Sequence, residues 1–288
     1  MSVVETINPT SLSDALRVKA ERNVTAVAGG TDILVKLHDV LDKPWPRLLV
    51  LDRISALHRI KLSKTRTRLG TMLTIGPLMT FSEIESSPVI KKHAPQLAEA
   101  ASLAGSVQIR NRATIGGNVA NGSPAGDTIP PLYVLGALIE MSSFKGKRQV
   151  PIEKFFLGPR QTMLKQNELI TAIKIPLVKN HGFFNRLATR KALAISKVSV
   201  AASLSINKGI VNNARIALGA VAPTVIRAGK AEEYLIGKQL DAQTIARAAI
   251  LGKDDARPID DIRSNAIYRK EMVGVLLARG LKAIAEKL

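Results

Sequence analysis

Thr114-Ile115-Gly116-Gly117-Asn118-Val119-Ala120-Asn121-Gly122-Ser123-Pro124-Ala125-Gly126-Asp127 is the stretch on which the reading of this chain turns. A glycine pair with two further glycines, two hydroxyls, two asparagines and an aspartate fall within fourteen residues. The punctuation is too dense for an ordinary helix or strand. The side chains offer amide donors and acceptors, and no general base or metal set accompanies them. That chemistry suits holding a polar ligand rather than breaking a bond. Asp127 is suited to accept hydrogen bonds from a sugar hydroxyl, as an acidic residue does in dinucleotide sites.

A second glycine pair sits in Val27-Ala28-Gly29-Gly30-Thr31-Asp32, 87 residues earlier when Gly29 is counted to Gly116. A strand running into two glycines lets main-chain N–H groups point at an anion, and the missing Cβ atoms let phosphate oxygens approach. Taken alone, such a turn reads first as a plain tight turn. It is not a P-loop, because no Gly-Lys-Ser/Thr follows, and the G-x-G-x-x-G spacing of the dinucleotide fingerprint is missing. Two such loops together fit the two sides of one diphosphate cleft.

Outward from these loops the elements follow from periodicity. A capped helix is expected over residues 12–20, a buried strand over 23–28, a short helix or extended piece over 32–37, and a strand over 47–52. A hairpin is expected with strands 60–62 and 67–70. Helices begin at Thr80 and cover 94–103 and 128–135, and a strand covers 137–142. Residues 168–176 alternate and end in Pro176, as an edge strand can. Strands 198–207 and 210–219 flank a turn at Asn207-Lys208-Gly209. Helices at 230–235, 242–251 and 265–286 close the chain. In the last of these Ile267, Met272, Val275, Leu276, Ala278 and Leu281 form an apolar stripe, read as packing on the domain's own sheet. The expected units are residues 1–55, 56–177 and 178–288.

Composition narrows the function. The chain has 288 residues and no cysteine, which excludes a disulfide framework, a thiol nucleophile and a cysteine-bound iron–sulfur cluster. One-electron chemistry must then sit on a bound cofactor or on another chain. His38, His58, His93 and His181 lack metal-ligand spacing and read as structural or surface residues. The net charge is +19, and its densest block, residues 151–200, holds nine basic and two acidic residues. There is no basic run, and ten aromatic residues leave little for stacking bases, so nucleic acid is not the expected partner. An anionic ligand, acidic partner subunits or simply an alkaline surface account for the charge. No stretch is long enough to span a bilayer and the start lacks a secretory pattern, so a cytoplasmic protein is expected.

The motif Ala-Gly-Gly-Thr-Asp near residue 30, followed by Gln108-Ile109-Arg110-Asn111 and the Thr114–Asp127 loop, closely resembles the FAD-binding medium subunit of molybdenum hydroxylases. That family includes the xanthine dehydrogenase and aerobic carbon monoxide dehydrogenase flavoproteins. Ile173–Pro176, Phe184–Arg190, Ala194–Val198 and Gly219–Thr224 resemble further landmarks of the family. The resemblance implies an α+β chain: a vanillyl-alcohol-oxidase (PCMH-type) FAD fold of two subdomains, then a C-terminal domain with an antiparallel sheet and helices. It implies that Ala28, Gly29, Gly30, Thr31 and Asp32 line the FAD diphosphate, with Val27 and Ile33 alongside. Thr114, Gly116, Gly117, Asn118, Asn121 and Asp127 would hold the cofactor from the other side, and Ala104 and Gly105 would approach it by backbone. Ile170 would pack near the flavin or adenine. Arg186 stands where relatives often carry a lysine close to the flavin, and keeps the charge with a different hydrogen-bond geometry.

The implied assembly is a heterotrimer with a large molybdenum-cofactor subunit and a small [2Fe-2S] subunit, passing electrons through FAD to NAD, oxygen or another acceptor. No catalytic side chain and no metal ligand are expected in this chain. Lack of cysteine separates it from the benzoyl-CoA-reductase branch, which carries a cluster in this subunit. Arg110 and Arg112 flank the second loop and read equally as diphosphate or small-subunit contacts and as solvated ion pairs. The competing readings are a self-contained FAD-dependent oxidase or dehydrogenase and a basic nucleic-acid-binding protein.

Overall fold

A computed structural model describes residues 5–38, 46–64, 70–190 and 192–288. Near the N-terminus, β1 (Thr6–Ile7), α1 (Leu12–Lys19), β2 (Val24–Val27), α2 (Ile33–His38) and β3 (Arg47–Val50) build a small parallel sheet in the order β1-β3-β2. Ser11 caps α1 by accepting from the Asp14 N–H, and Asp14 and Lys19 sit at the dipole ends that favour their charges. Ala15 and Leu16 pack on Leu49, Leu51, Ile54 and Leu57. Lys19 is buried with them and donates to the Val24 carbonyl at 2.7 Å; burial pushes its ammonium below its ordinary value. Of the two options for residues 32–37, the helix is the one formed.

The second sheet is antiparallel, ordered β4-β5-β10-β6-β7, from β4 (Ile60–Lys64), β5 (Thr71–Ile75), β6 (Leu138–Ser143), β7 (Gly146–Pro151) and β10 (Leu169–Pro176). Two expectations change here. The partner of β4 is β5, which begins at Thr71; the expected strand residues 67–69 lie outside the described residues. And β10 is central, not an edge, because Ile170, Ile173 and Ile175 enter the core and both flanks are paired. Pro176 is tolerated because it stands at the last rung, opposite Met72, where the ladder ends.

Between β5 and β6 run α3 (Phe81–Ser86), α4 (Pro88–His93), α5 (Pro95–Leu103), α6 (Val107–Arg110), α7 (Ile115–Asn121) and α8 (Ile129–Val134). Thr80 and Glu83 form a capping box on α3, and His58 bonds the same Glu83 carboxylate at 2.8 Å. The glycine-rich stretch Thr114–Asp127, expected to be irregular, contains one short helix, α7. Thr114 caps α7, and Gly116 lets the helix pack where a Cβ would lie 2.4 Å from the Pro77 side chain. Tertiary contact thus overrides the low helix propensity of two glycines. After β7 come α9 (Ile152–Phe155), β8 (Phe156–Gly158) and β9 (Gln161–Thr162).

The third sheet is antiparallel, β11 (His181–Leu187), β12 (Val198–Asn207), β13 (Ile210–Gly219) and β14 (Ile226–Arg227) in chain order. The β12–β13 hairpin turns at Lys208 and Gly209, both in the left-handed region, as expected. Helices α10 (Gly229–Leu235), α11 (Ala242–Asp255) and α12 (Ala266–Ala285) cover one face, and α5 and α8 meet the other. The stripe of α12 lies on this sheet but is rotated from the expected one. Val273, Leu276, Leu277, Leu281 and Ile284 are buried, while Ile267 is 79% exposed. The reason is Gly280, over which the Phe183 ring lies so closely that a Cβ would sit 2.2 Å from it.

Candidate cofactor cleft

The end of β2 with the loop after it, the α5–α8 segment and the connection between β11 and β12 line a cleft of about 730 Å³. This is the size range of small-molecule and cofactor sites. Its walls bring together Val27, Ala28, Gly29, Gly30, Thr31, Asp32 and Ile33 from the first loop with Ala104, Gly105, Thr114, Gly117, Asn118, Asn121 and Asp127. Gly116, Ile170 and Arg186 do not line it. Gly116 packs on Pro77, and Ile170 is buried in the main core.

The first loop presents donors. Among the described residues, the backbone N–H groups of Gly30, Thr31 and Asp32 donate to no protein acceptor, while Leu34 and Lys36 N–H return to the Gly30 and Asp32 carbonyls. Gly30 has φ +77°, which keeps its peptide turned without strain. Gly29 serves closeness: a Cβ there would lie 1.8 Å from the Arg112 carbonyl, so the two loops touch backbone to backbone.

The first turn of α7 in the second loop is saturated. Ile115 N–H donates to Met79, Gly116 N–H to Pro77, Gly117 N–H to the Thr114 hydroxyl and Asn118 N–H to the Thr114 carbonyl, at 2.8 to 3.1 Å. What it offers the cleft is side chains. Asn118 Oδ1 accepts from Thr128, leaving the amide N–H groups unused by the described residues. Asn121 Nδ2 donates to Asp32 at 3.2 Å, and its Oδ1 accepts from Lys36 Nζ at 2.7 Å, bridging both walls.

Asp127 lines the cleft from a buried position. Its two oxygens accept from the Arg186 guanidinium at 2.8 Å and from the Ser196 hydroxyl at 2.6 Å. Burial pushes this carboxyl up, against the opposing pull of Arg186 and Ser196. The Asp127–Arg186 pair ties the second loop to β11, and Arg186 also reaches the Ala194 carbonyl. Arg110 pairs with Glu85 at 2.9 Å, the ion-pair alternative of its two readings.

Residues 193–195, Lys36 and Arg160 also line the cleft and had been given no role. Lys36 follows Asp32 at helical i,i+4 spacing, a signal present in the sequence. Arg160 comes from the β8–β9 turn and is adjacent only through the fold. Free backbone donors on one wall and amide and carboxylate side chains on the facing wall fit a dinucleotide with its diphosphate, so the residues present fit FAD. Among the described residues there is no cluster of metal-ligating side chains and no helix long and apolar enough to cross a membrane.

Comparison with known proteins gives two family matches. Residues 2–178 match the FAD binding domain in molybdopterin dehydrogenase, and residues 184–284 match the CO dehydrogenase flavoprotein C-terminal domain. The chain is 31% identical over 267 residues to a putative xanthine dehydrogenase FAD-binding subunit of Escherichia coli K12, covering 91% of this chain and 89% of the relative. It is 30% identical over 278 residues to the carbon monoxide dehydrogenase medium chain of Hydrogenophaga pseudoflava, covering 96% and 94%. In structure it superposes on carbon monoxide dehydrogenase from the same organism with TM-score 0.90 at 29% identity, covering 99% of this chain and 98% of the other. Quinoline 2-oxidoreductase from Pseudomonas putida 86 gives the same TM-score, 0.90, at 29% identity and the same coverage.

Proposed function

The chain belongs to the FAD-binding family of molybdopterin dehydrogenases, and from that premise we propose that it carries the electron-transfer step of a heteromeric molybdenum hydroxylase. It is an α+β oxidoreductase subunit whose cofactor is FAD. The observation that carries the proposal is the cleft between a donor loop and a side-chain loop, in a chain without a cysteine of its own.

In this reading Gly30, Thr31 and Asp32 bind the diphosphate through main-chain N–H groups, which cost no reorganisation because helix α2 and strand β2 hold them. Thr114, Gly117, Asn118, Asn121 and Asp127 close the opposite wall, with Ala104 and Gly105 at its end. Gly116, Ile170 and Arg186 act one layer back, by packing and by holding Asp127. FAD, when bound, supplies the conversion between single electrons and electron pairs. The protein positions it and excludes side reactions. The partners are a large molybdenum-cofactor subunit and a small [2Fe-2S] subunit, the acceptor is NAD or another oxidant, and the setting is the cytoplasm. Residues 1–55, 56–177 and 178–288 are the working units.

Mixing experiments test this. FAD-loaded chain alone is expected to stay oxidised when organic substrates are added, and to bleach at 450 nm, about the usual flavin maximum, once both partners are present. Turnover of an organic substrate by this chain alone would overturn the proposal in favour of a self-contained oxidase.

A further inference from the structure

The Ser123–Asp127 part of the cleft wall is held from the C-terminal domain. Ser123, Ala125, Gly126 and Asp127 line the cleft, and Pro124 does not. The Pro124 carbonyl accepts from the Ala220 N–H at 2.9 Å, while Asp127 is held by Arg186 and Ser196. The wall is thus pinned at two points, one through side chains and one through backbone.

The backbone pin is an unusual one. Ala220 follows β13, is buried, and has φ +60°. A Cβ disfavours that left-handed conformation by about a factor of ten, so the conformation has to be held. Arg269 of α12 holds it. This side chain is 5% exposed, and it donates from Nη1 to the Ala220 carbonyl at 3.4 Å and from Nη2 to Asp261. Asp261 is itself fixed. Its carboxylate accepts from the Arg263 and Ser264 N–H groups at 2.8 and 3.2 Å, and Asp261 and Ser264 form a β-bridge. Beside it the Arg257 N–H donates to the Val221 carbonyl at 2.8 Å. The guanidinium therefore spans from a rigid turn to the Ala220 peptide. Its planar fork suits that two-point span better than a flexible ammonium does.

We propose that Arg269 is a positioning residue for FAD. By holding the Ala220 peptide left-handed it keeps the Ala220 N–H on the Pro124 carbonyl, and so sets the Ser123–Asp127 wall before the cofactor binds. Arg269 itself stays outside the cleft. The proposal rests on the reading that this wall closes on FAD.

The test titrates FAD into the full chain stripped of cofactor and reads the dissociation constant. Arg269→Lys keeps the charge and loses the fork. It is expected to raise the constant about tenfold, because the binding-competent conformation of Ala220 is no longer held. Ala220→Gly should stay within about twofold of wild type, since glycine takes this φ without strain. In the double variant glycine makes the brace dispensable, and the constant should return to within about threefold of wild type. A residue that only stabilised the fold would show no such rescue, because glycine restores none of the bonds to Asp261. An unchanged constant in Arg269→Lys, or a double variant as weak as Arg269→Lys alone, would overturn the proposal. If Arg269→Lys does not fold, Asp261→Asn, which frees the other prong of the fork, decides by the same comparison with and without Ala220→Gly. Gly117→Leu separates this proposal from the reading beneath it. FAD retained in that variant rejects the wall itself, whereas FAD lost there with Arg269→Lys unchanged rejects the brace alone.

Discussion

The two glycine loops look alike as sequence and do opposite things with their backbones. Around Gly29-Gly30 the N–H groups of Gly30, Thr31 and Asp32 remain open to the cleft. Around Gly116-Gly117 the first-turn N–H groups are all consumed, by Met79, Pro77 and Thr114. The glycines differ accordingly. Gly30 provides a positive φ, whereas Gly29 and Gly116 provide close approach to the backbone and side chain of another segment. A Gly-Gly pair is therefore not one device. It marks either a donor-presenting turn or a contact too tight for a Cβ, and only the neighbours decide which.

The largest expected effect tests what anchors the second loop. Arg186→Met would leave the buried Asp127 carboxylate with Ser196 alone. The expected loss is about 3–5 kcal/mol of stability. Denaturant unfolding measures it, and near-wild-type stability would show that the loop is anchored elsewhere.

Gly29→Ala comes next. The added methyl meets a backbone carbonyl at 1.8 Å, which cannot swing aside as a side chain can. A destabilisation of about 1–3 kcal/mol is expected, with FAD lost in parallel. Thermal unfolding together with FAD released on denaturation reads both.

Gly117→Leu should separate those two quantities. Its Cβ would meet only the Thr114 hydroxyl, at 3.0 Å, and point into the cleft. The FAD site is expected to empty while unfolding shifts by less than about 1 kcal/mol. Full FAD occupancy in this variant would remove Gly117 from the cofactor wall.

The smallest effect is a pH dependence confined to the second loop's support. Burial pushes the Glu83 carboxyl up, but hydrogen bonds from His58 and Thr80 outweigh it and hold the group below its ordinary 4.5. A carboxyl depressed in the folded state stabilises it above the unfolded value, and that stability is lost as pH falls through the folded value. Thr80 also bridges to Thr114. Amide exchange in residues 114–121, corrected for intrinsic rates, should therefore accelerate as pH drops below about 4.5, and Glu83→Gln should flatten that response. An unchanged acid profile in Glu83→Gln would disconnect the capping box from the loop.

Much of the fold was legible because hydrophobic periodicity is local. The β12–β13 hairpin and its Lys208-Gly209 turn follow from alternation and turn chemistry within 22 residues. The failures have a common cause in distant packing. β10 looked like an edge because Pro176 ends it, yet β5 and β6 pair with both sides. The stripe of α12 was misplaced because Gly280 admits the Phe183 ring, a contact between residues nearly a hundred apart. At the cleft, the loop residues were readable from their motifs. Arg160 was not, since nothing local marks a turn arginine as neighbour to Asp32.

What the amino-acid sequence determined by itself was the inventory: two glycine loops, their amide and carboxylate side chains, and the lack of cysteine that excludes a cysteine-bound iron–sulfur cluster from this chain. These are properties of residue type and short spacing, which no partner can alter. Only the tertiary structure decided which N–H groups stay free, that Asp127 meets Arg186, and that Arg160 comes to Asp32. Hydrogen bonds and charges act over a few ångströms of space, so their outcome depends on which segments the packing brings together.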